Sequence, residues 1–281
     1  MSNARVFLLT LLAMLAFAAN SLLGRLALTH TAIDAASFTA IRIVAGALVL
    51  GAIVRLQGGA ARPAGNWPSA FALFVYAAAF SFAYASLTAA TGALLLFGAV
   101  QATMIGVGVW RGEQLRGRQM LGLLGATAGL VGLLLPGLSA PPWQGSALML
   151  VAGAAWGIYS LRGKGSGDPL RVTAGNFARA VVFAAVLGVA MLPWATFDGP
   201  GIACAVASGG IASGIGYAIW YSALPGLKVA SAATVQLSVP VLTAIGGVAL
   251  LGEPVTPRLV LAALAILGGI ALVVVPAAPR R

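Results

Sequence analysis

The chain has one cysteine, one histidine and five acidic residues in 281 positions. A single thiol, Cys204, permits no intrachain disulfide and no thiolate metal site. With His30 alone and lying between apolar runs, a multi-histidine metal centre and a serine–histidine arrangement are both excluded. Asp34, Glu113, Asp168, Asp198 and Glu253 fall away from the middles of the apolar runs, so no catalytic carboxylate pair can form inside them. No GxxxxGK[ST] loop occurs, which removes P-loop nucleotide hydrolysis. These absences argue against an enzyme, and no cofactor or metal is expected. The shortage of charge decides the class. Charged residues make up 7% of the chain and hydrophobic ones 60%, and no water-soluble surface can be assembled from so few charges.

The net charge is +11. In a soluble protein such a balance invites nucleic acid. Here the basic residues sit between apolar runs without interleaved aromatics, so they read as topology signals and no nucleic-acid partner is expected. The runs are about as long as the roughly 20 residues that cross a bilayer. Ten spans can be drawn, at about 5–27, 36–56, 68–88, 91–110, 119–136, 143–161, 172–194, 201–223, 229–250 and 257–275. They are apolar all round and lack the period-2 alternation of a barrel, so backbone groups must be satisfied within helices. The expected class is an all-α polytopic membrane protein.

The chain is also a duplication. Tyr84 to Leu87 (YASL) precedes an apolar run, then Gly112 and Glu113, then a run ending at Pro136; Tyr221 to Leu224 (YSAL), Gly252, Glu253 and Pro276 repeat that order. An offset of 137 pairs Arg25 with Arg162, Arg42 with Arg179 and Tyr84 with Tyr221, and an offset of 140 pairs Glu113 with Glu253. The repeats are 1–140 and 141–281, with five spans each. Arg5, an apolar core and Ala16 to Ala19 resemble a signal peptide. Yet Ala18 to Arg25 aligns with Ala155 to Arg162 in the second copy, so the first span is read as structural.

Orientation follows from the loop cations. One side carries Arg5, Arg55, Arg62, Arg111, Arg116, Arg118, Arg162, Lys164, Arg171, Lys228, Arg280 and Arg281; the other carries Arg25 and Arg258. Both termini are expected in the cytoplasm. Five spans per copy is an odd number, so the second copy enters the membrane from the opposite face, the inverted-repeat design associated with alternating access to a midplane site. Gly125 and Gly129, with mates Ala265 and Gly269, predict close helix packing within the chain.

Ten spans, an inverted five-plus-five duplication and a Gly-Glu pair before the last span of each half together resemble the drug/metabolite transporter superfamily, in particular its ten-helix EamA-type exporters. The resemblance is carried by Asn20 to Leu28 (NSLLGRLAL), the FTAIR ending at Arg42, Trp156 to Arg162 (WGIYSLR) and Val239 to Glu253 (VPVLTAIGGVALLGE). Among subfamilies the chain looks most like the bacterial aromatic-amino-acid exporters. It departs from the pattern in having Val100 where the second copy has Pro240. The resemblance implies a carrier in a bacterial-type inner membrane, and the chain is expected to be a monomer. Its cargo would be amino acids or similar metabolites, exported through a cavity between the halves. A multidrug or other small-metabolite exporter is the alternative, and a lipid scramblase or structural membrane protein is the reading from another class.

Because substrates are asymmetric, positions that differ between the copies are the candidates for the site. Tyr76, Phe80 and Tyr84 recur on one helical face, with mates Ser213, Tyr217 and Tyr221. Trp156 and Tyr159 replace Ala19 and Leu22. Amides inside a bilayer are costly unless paired or facing water or ligand. Asn20 has the mate Gly157, Gln101 has Val241, and Gln236 has Leu96. The expected substrate-binding set is Asn20, Tyr76, Phe80, Phe97, Gln101, Trp156, Tyr159, Tyr217 and Gln236, with Pro240 as a kink that gates. Tyr84, Tyr221 and Trp110 read as interface anchors. Arg42 and Arg179 read as snorkelling cations, and Glu113 and Glu253 as caps or loop ion-pair partners. With no carboxylate or histidine mid-span, transport is expected to run downhill or to couple through a residue at a span edge.

Overall fold

The computed structural model describes residues 2–58, 64–112, 114–115, 117–137, 140–163, 167–227, 232 and 235–274. Glu113, Arg62, Arg116, Lys164, Lys228, Arg280 and Arg281 lie outside them. Among the described residues the chain is helical from end to end: α1 Asn3–His30, α2 Ala35–Leu56, α3 Trp67–Tyr84, α4 Ala89–Trp110, α5 Gly117–Leu134, α6 Trp143–Gly163, α7 Pro169–Ala190, α8 Gly199–Val206, α9 Gly216–Ala223, α10 Ser238–Leu251 and α11 Pro257–Val274. A π-helix, Ala207–Ile215, joins α8 to α9 into one rod.

Polar residues flanking the apolar runs set the helix starts. Ser2, Asp34, Asn66, Thr88, Asp168 and Asp198 each accept a hydrogen bond from a first-turn N–H of the helix that follows. Inside the runs nothing competes with the backbone ladder. Eight rods, counting Gly199–Gly226 as one, are long and apolar enough to cross a membrane. The other two expected intervals also contain helix, 21 residues in α6 and 14 in α10. Large apolar side chains such as Leu48, Leu121, Leu124, Leu250 and Leu264 lie exposed on the outside of the bundle, as a lipid-facing surface requires. Trp67, Trp110, Trp143 and Trp194 are exposed at rod ends, the place for interfacial aromatics. Tyr84 is different: its ring is fully buried and its hydroxyl donates to the Ala89 carbonyl, so it is not an interface anchor.

Helix association in lipid depends on packing by small residues. At the seam of α5 and α11, Gly122 abuts the Gly269 backbone and Gly129 meets Ala265 and Ile266, so the expected contact forms within the chain. The core between the remaining rods is built by α1 against α9 and α10, α6 against α3 and α4, α2 against α7 and the π-helix, α3 against α7, and α4 against α10. In the π-helix, Gly209 lies so close to the backbone of Arg42 that no side chain would fit, and Gly210 and Gly214 face Val49. Glycine therefore lets the widened turns press onto α2.

Glu253 acts both as a cap and as an ion-pair partner. It bonds Arg25 at 2.8 Å and accepts from the N–H of Ala89 at the start of α4, at 2.7 Å. Arg25 also donates to the Tyr84 carbonyl. The ends of α1, α3 and α10 and the start of α4 are thus tied at one point. Near Pro240 the chain turns at Leu237 before α10 begins, with Ser238 Oγ donating to the Val235 carbonyl. The proline removes one backbone donor, and the helix gives way on its N-terminal side.

Candidate substrate cavity

A cavity of about 420 Å³ lies between the rods. It runs from mid-bundle to the end where α6 stops and α7 starts, where Ser69, Arg162, Pro169 and Leu227 line it. Its middle is aromatic. Trp156 stacks on Tyr217 with centroids 5.4 Å apart and on Tyr159 at 5.3 Å, and it meets Tyr76 at 4.9 Å. Phe17 packs against Tyr217 and Trp220. Such a surface favours flat or aliphatic groups and leaves orientation to a few polar atoms.

The polar atoms form two groups. Nearer the mouth, the Tyr159 hydroxyl donates to Thr173 Oγ1 at 3.3 Å, Thr173 shares a bond with Tyr221, and Asn176 Nδ2 donates to Tyr159. Deeper in, Asn20 is the hub. Its Oδ1 accepts from Arg42 Nη2 at 3.0 Å and from Ser208 Oγ at 2.7 Å, and its Nδ2 donates to the Tyr76 hydroxyl at 3.2 Å. A guanidinium has only donors, so the amide oxygen must face Arg42 and the amide nitrogen must face Tyr76. Arg42 itself is 3% exposed, with its guanidinium 4.6 Å from the Phe80 ring centroid. Beyond this level the space closes. Phe80 and Tyr84 stand edge to face at 4.7 Å, Gly24 and Gly92 pack against those rings, and the Arg25–Glu253 pair lies at the rod ends past them.

Of the side chains expected at a site, Asn20, Tyr76, Phe97, Trp156, Tyr159, Tyr217 and Gln236 line this one cavity. Two do not. Phe80 is fully buried between Tyr76, Tyr84 and Arg42 behind the wall, because the helical face it shares with Tyr76 turns toward α2 at that level. Gln101 faces a separate small pocket with Gly98, Leu130 and Ile266, since α4 carries it round to α5 and α11. Tyr221, expected as an interface anchor, also lines the cavity. Arg42 does not snorkel. Its side chain turns into the bundle, where the Asn20 amide and three aromatic rings receive it. A cation set two turns inside an apolar run is the signal that marks it. Ser208, Thr173 and Asn176 were not singled out, being ordinary polar residues in helices until their partners are known.

The EamA-like transporter family matches residues 143–275. An uncharacterised protein of Pseudomonas aeruginosa is 60% identical over 92% of this chain and 91% of its own length. The threonine/homoserine exporter RhtA of Escherichia coli K12 is 33% identical over 42% of this chain and 41% of its own length. A crystal structure covering 97% of this chain and 98% of its own superposes with a TM-score of 0.68 at 20% identity, a likeness of fold. A bundle of long apolar helices around an aromatic cavity, without a catalytic constellation among the described residues, fits the family that these matches name. The chain is a multi-pass membrane protein of the transporter type, and its second half, residues 143–275, matches the EamA-like transporter family.

Proposed function

We propose that the protein exports amino acids, aromatic or other small neutral ones, or closely related metabolites, by alternating access across a bacterial-type inner membrane. It works as a monomer with both termini in the cytoplasm and without nucleotide hydrolysis. The observation that carries this reading is the cavity of about 420 Å³, aromatic at its centre and closed toward the Arg25–Glu253 end. That volume lies within the range of about 300–1,000 Å³ in which small-molecule sites fall. The likeness of part of the chain to a threonine/homoserine exporter supports amino acids as the cargo class.

Ten crossings in two inverted halves complete the reading, and the packing supports them. Exchanging each rod with its repeat mate turns α3–α6 into the α9–α1 contact, α4–α6 into α10–α1, and α3–α7 into the contact of the π-helix with α2. The pairs α2–α7, α4–α10 and α5–α11 map onto themselves. Two halves related in this way can exchange roles, opening the cavity first on one face and then on the other. In the orientation set by the loop cations, the cavity mouth faces the cytoplasm and Arg25–Glu253 closes the outer side. The break at Leu237 before Pro240 is where α10 would flex.

Reconstituted into liposomes, the protein should pass labelled threonine or phenylalanine down a gradient without ATP. No flux of either, or flux of labelled lipid instead, overturns the proposal. Fusions at residues 116 and 281 should report cytoplasm and a fusion at residue 198 the periplasm. A periplasmic C-terminus overturns the ten-crossing arrangement.

A further inference from the structure

Arg42 is a buried cation, and the described residues hold no carboxylate within ion-pair distance of it. One of its terminal nitrogens, Nη1, is buried with no hydrogen-bond partner. The nearest carboxylate along its own helix, Asp34, is engaged by the N–H groups of Ala36, Ser37 and Thr196. Burial of an uncompensated charge in a membrane protein is expensive, and such residues mark solute pathways. Aromatic faces offset part of the cost, since Phe80, Phe38 and Tyr76 lie 4.6, 5.8 and 5.8 Å from the guanidinium.

The polar groups between this cation and the cavity are poised as donors. Asn20 and Tyr76 both line the cavity. The oxygen of Asn20 is taken by Arg42 and Ser208, so what the amide has left to offer is its second N–H. Tyr76 accepts from Asn20, so its own O–H remains to donate. The wall at this level therefore presents an N–H and an O–H, backed by a guanidinium one hydrogen bond behind. An ammonium, with donors only, finds no complement there; a carboxamide oxygen accepts but brings no charge, whereas a carboxylate accepts from both donors and partners the charge.

We propose that Asn20 and Tyr76, charged from behind by Arg42, form a carboxylate subsite in the cavity, so that the cargo must carry a carboxylate. Cationic amines without an acid group are rejected. The ammonium of an amino acid would then lie over the Trp156–Tyr217 stack, where π faces and the Gln236 carbonyl oxygen receive it. Arg42 is a positioning and charge-supplying residue here, and the two donors make the contact. This rests on the transport reading above and names the chemical class of its cargo.

The test measures binding apart from flux. Purified protein in detergent is titrated with L-threonine, L-phenylalanine, their carboxamides, and 3-phenylpropanoate, which has the acid but no ammonium. Thermal stabilisation is the readout. The acids should protect at concentrations at least about tenfold below those of the matching amides, the scale of one charge-assisted hydrogen bond. Arg42→Gln should bring acid and amide together, Arg42→Lys should keep part of the preference, and Tyr76→Phe should reduce it. If Arg42→Gln does not fold, the parent's acid-to-amide ratio and Tyr76→Phe decide. Equal protection by acid and amide, protection by neither, or an unchanged ratio in Arg42→Gln overturns the subsite. Preference for the acid without liposome flux would sink the transport reading and leave the subsite standing, while flux without acid preference would do the reverse.

Discussion

Arg42 and Arg179 occupy the same position in the two copies, 137 residues apart, yet they do different things. Arg42 is turned inward to the Asn20 amide and the Phe80 ring. Arg179 is half-buried and bonds the backbone carbonyls of Ala64 and Gly175, tying α7 to the segment before α3. Their neighbours explain the divergence. The mate of Asn20 is Gly157, which offers Arg179 no inward acceptor. The mate of Phe38 is Gly175, where the missing ring lets the Ala64 backbone come up against α7. Duplication supplied two equivalent cations, and the residues around them set one behind the Asn20 wall of the cavity and made the other a clamp between rods.

The largest test of this contrast is to give the first half the second half's neighbour. Asn20→Gly removes the acceptor of a buried guanidinium and should destabilise the protein by about 3 kcal/mol, the upper range for hydrogen bonds to charged groups. Thermal unfolding in detergent checks this, and acid-over-amide preference should disappear with it. A stable Asn20→Gly protein that keeps its preference would show that the Asn20–Gly157 difference is not what separates the two arginines.

A second arginine pair sharpens the point. Arg25 is held by Glu253 in a partly buried ion pair, with side chains 17% and 10% exposed. Glu253→Gln retains an acceptor for Ala89 but not the charge, and about 2 kcal/mol should be lost after allowing for partial solvent screening. Cysteine probes placed beside Gly24 should become more reactive from the side on which Arg25 and Glu253 lie in that variant; unchanged labelling would remove the pair from the closure. Arg179→Gln should have a smaller effect, about 1 kcal/mol at a half-exposed clamp, with the acid-to-amide ratio unchanged. A shift in that ratio would mean that the clamp also reaches the cargo.

The smallest effect concerns Asp34, whose mate is Arg171. Burial raises its carboxyl, but hydrogen bonds from Ser37, Thr196 and Ala36 outweigh that and hold it below the ordinary 3.8. A depressed carboxylate contributes stability that is present above its unfolded value and is lost as pH falls through the lower folded one. Asp34→Asn keeps an oxygen for Ala36 and Ser37 but turns an N–H toward that of Thr196, so it should cost about 1 kcal/mol at neutral pH and approach parity with the parent as pH falls below 3.8 through the folded value.

The helices were legible because uninterrupted apolar runs between capping residues leave the backbone a single way to satisfy itself in lipid. Much of the cavity lining was legible too, since aromatics and amides that break the repeat are conspicuous against alanine, leucine and glycine. Which way a helix faces was less so. Phe80 and Gln101 have the right chemistry, yet rotation about α3 and α4 sends one behind the wall and the other toward α5. Arg42 was hidden by the repeat itself. Equivalence with Arg179 suggested a shared structural role, and only the three-dimensional position of Asn20 shows where its charge goes. The π-helix had no signal beyond its glycines, because register depends on the α2 surface it rests against.

None of the cavity lining comes from α5 or α11. The glycine seam joining that pair fastens α5 to α11 without touching the cavity. On the proposed transport role, recognition falls to the other rods, and exchanging α5 and α11 together for those of a relative should leave specificity unchanged.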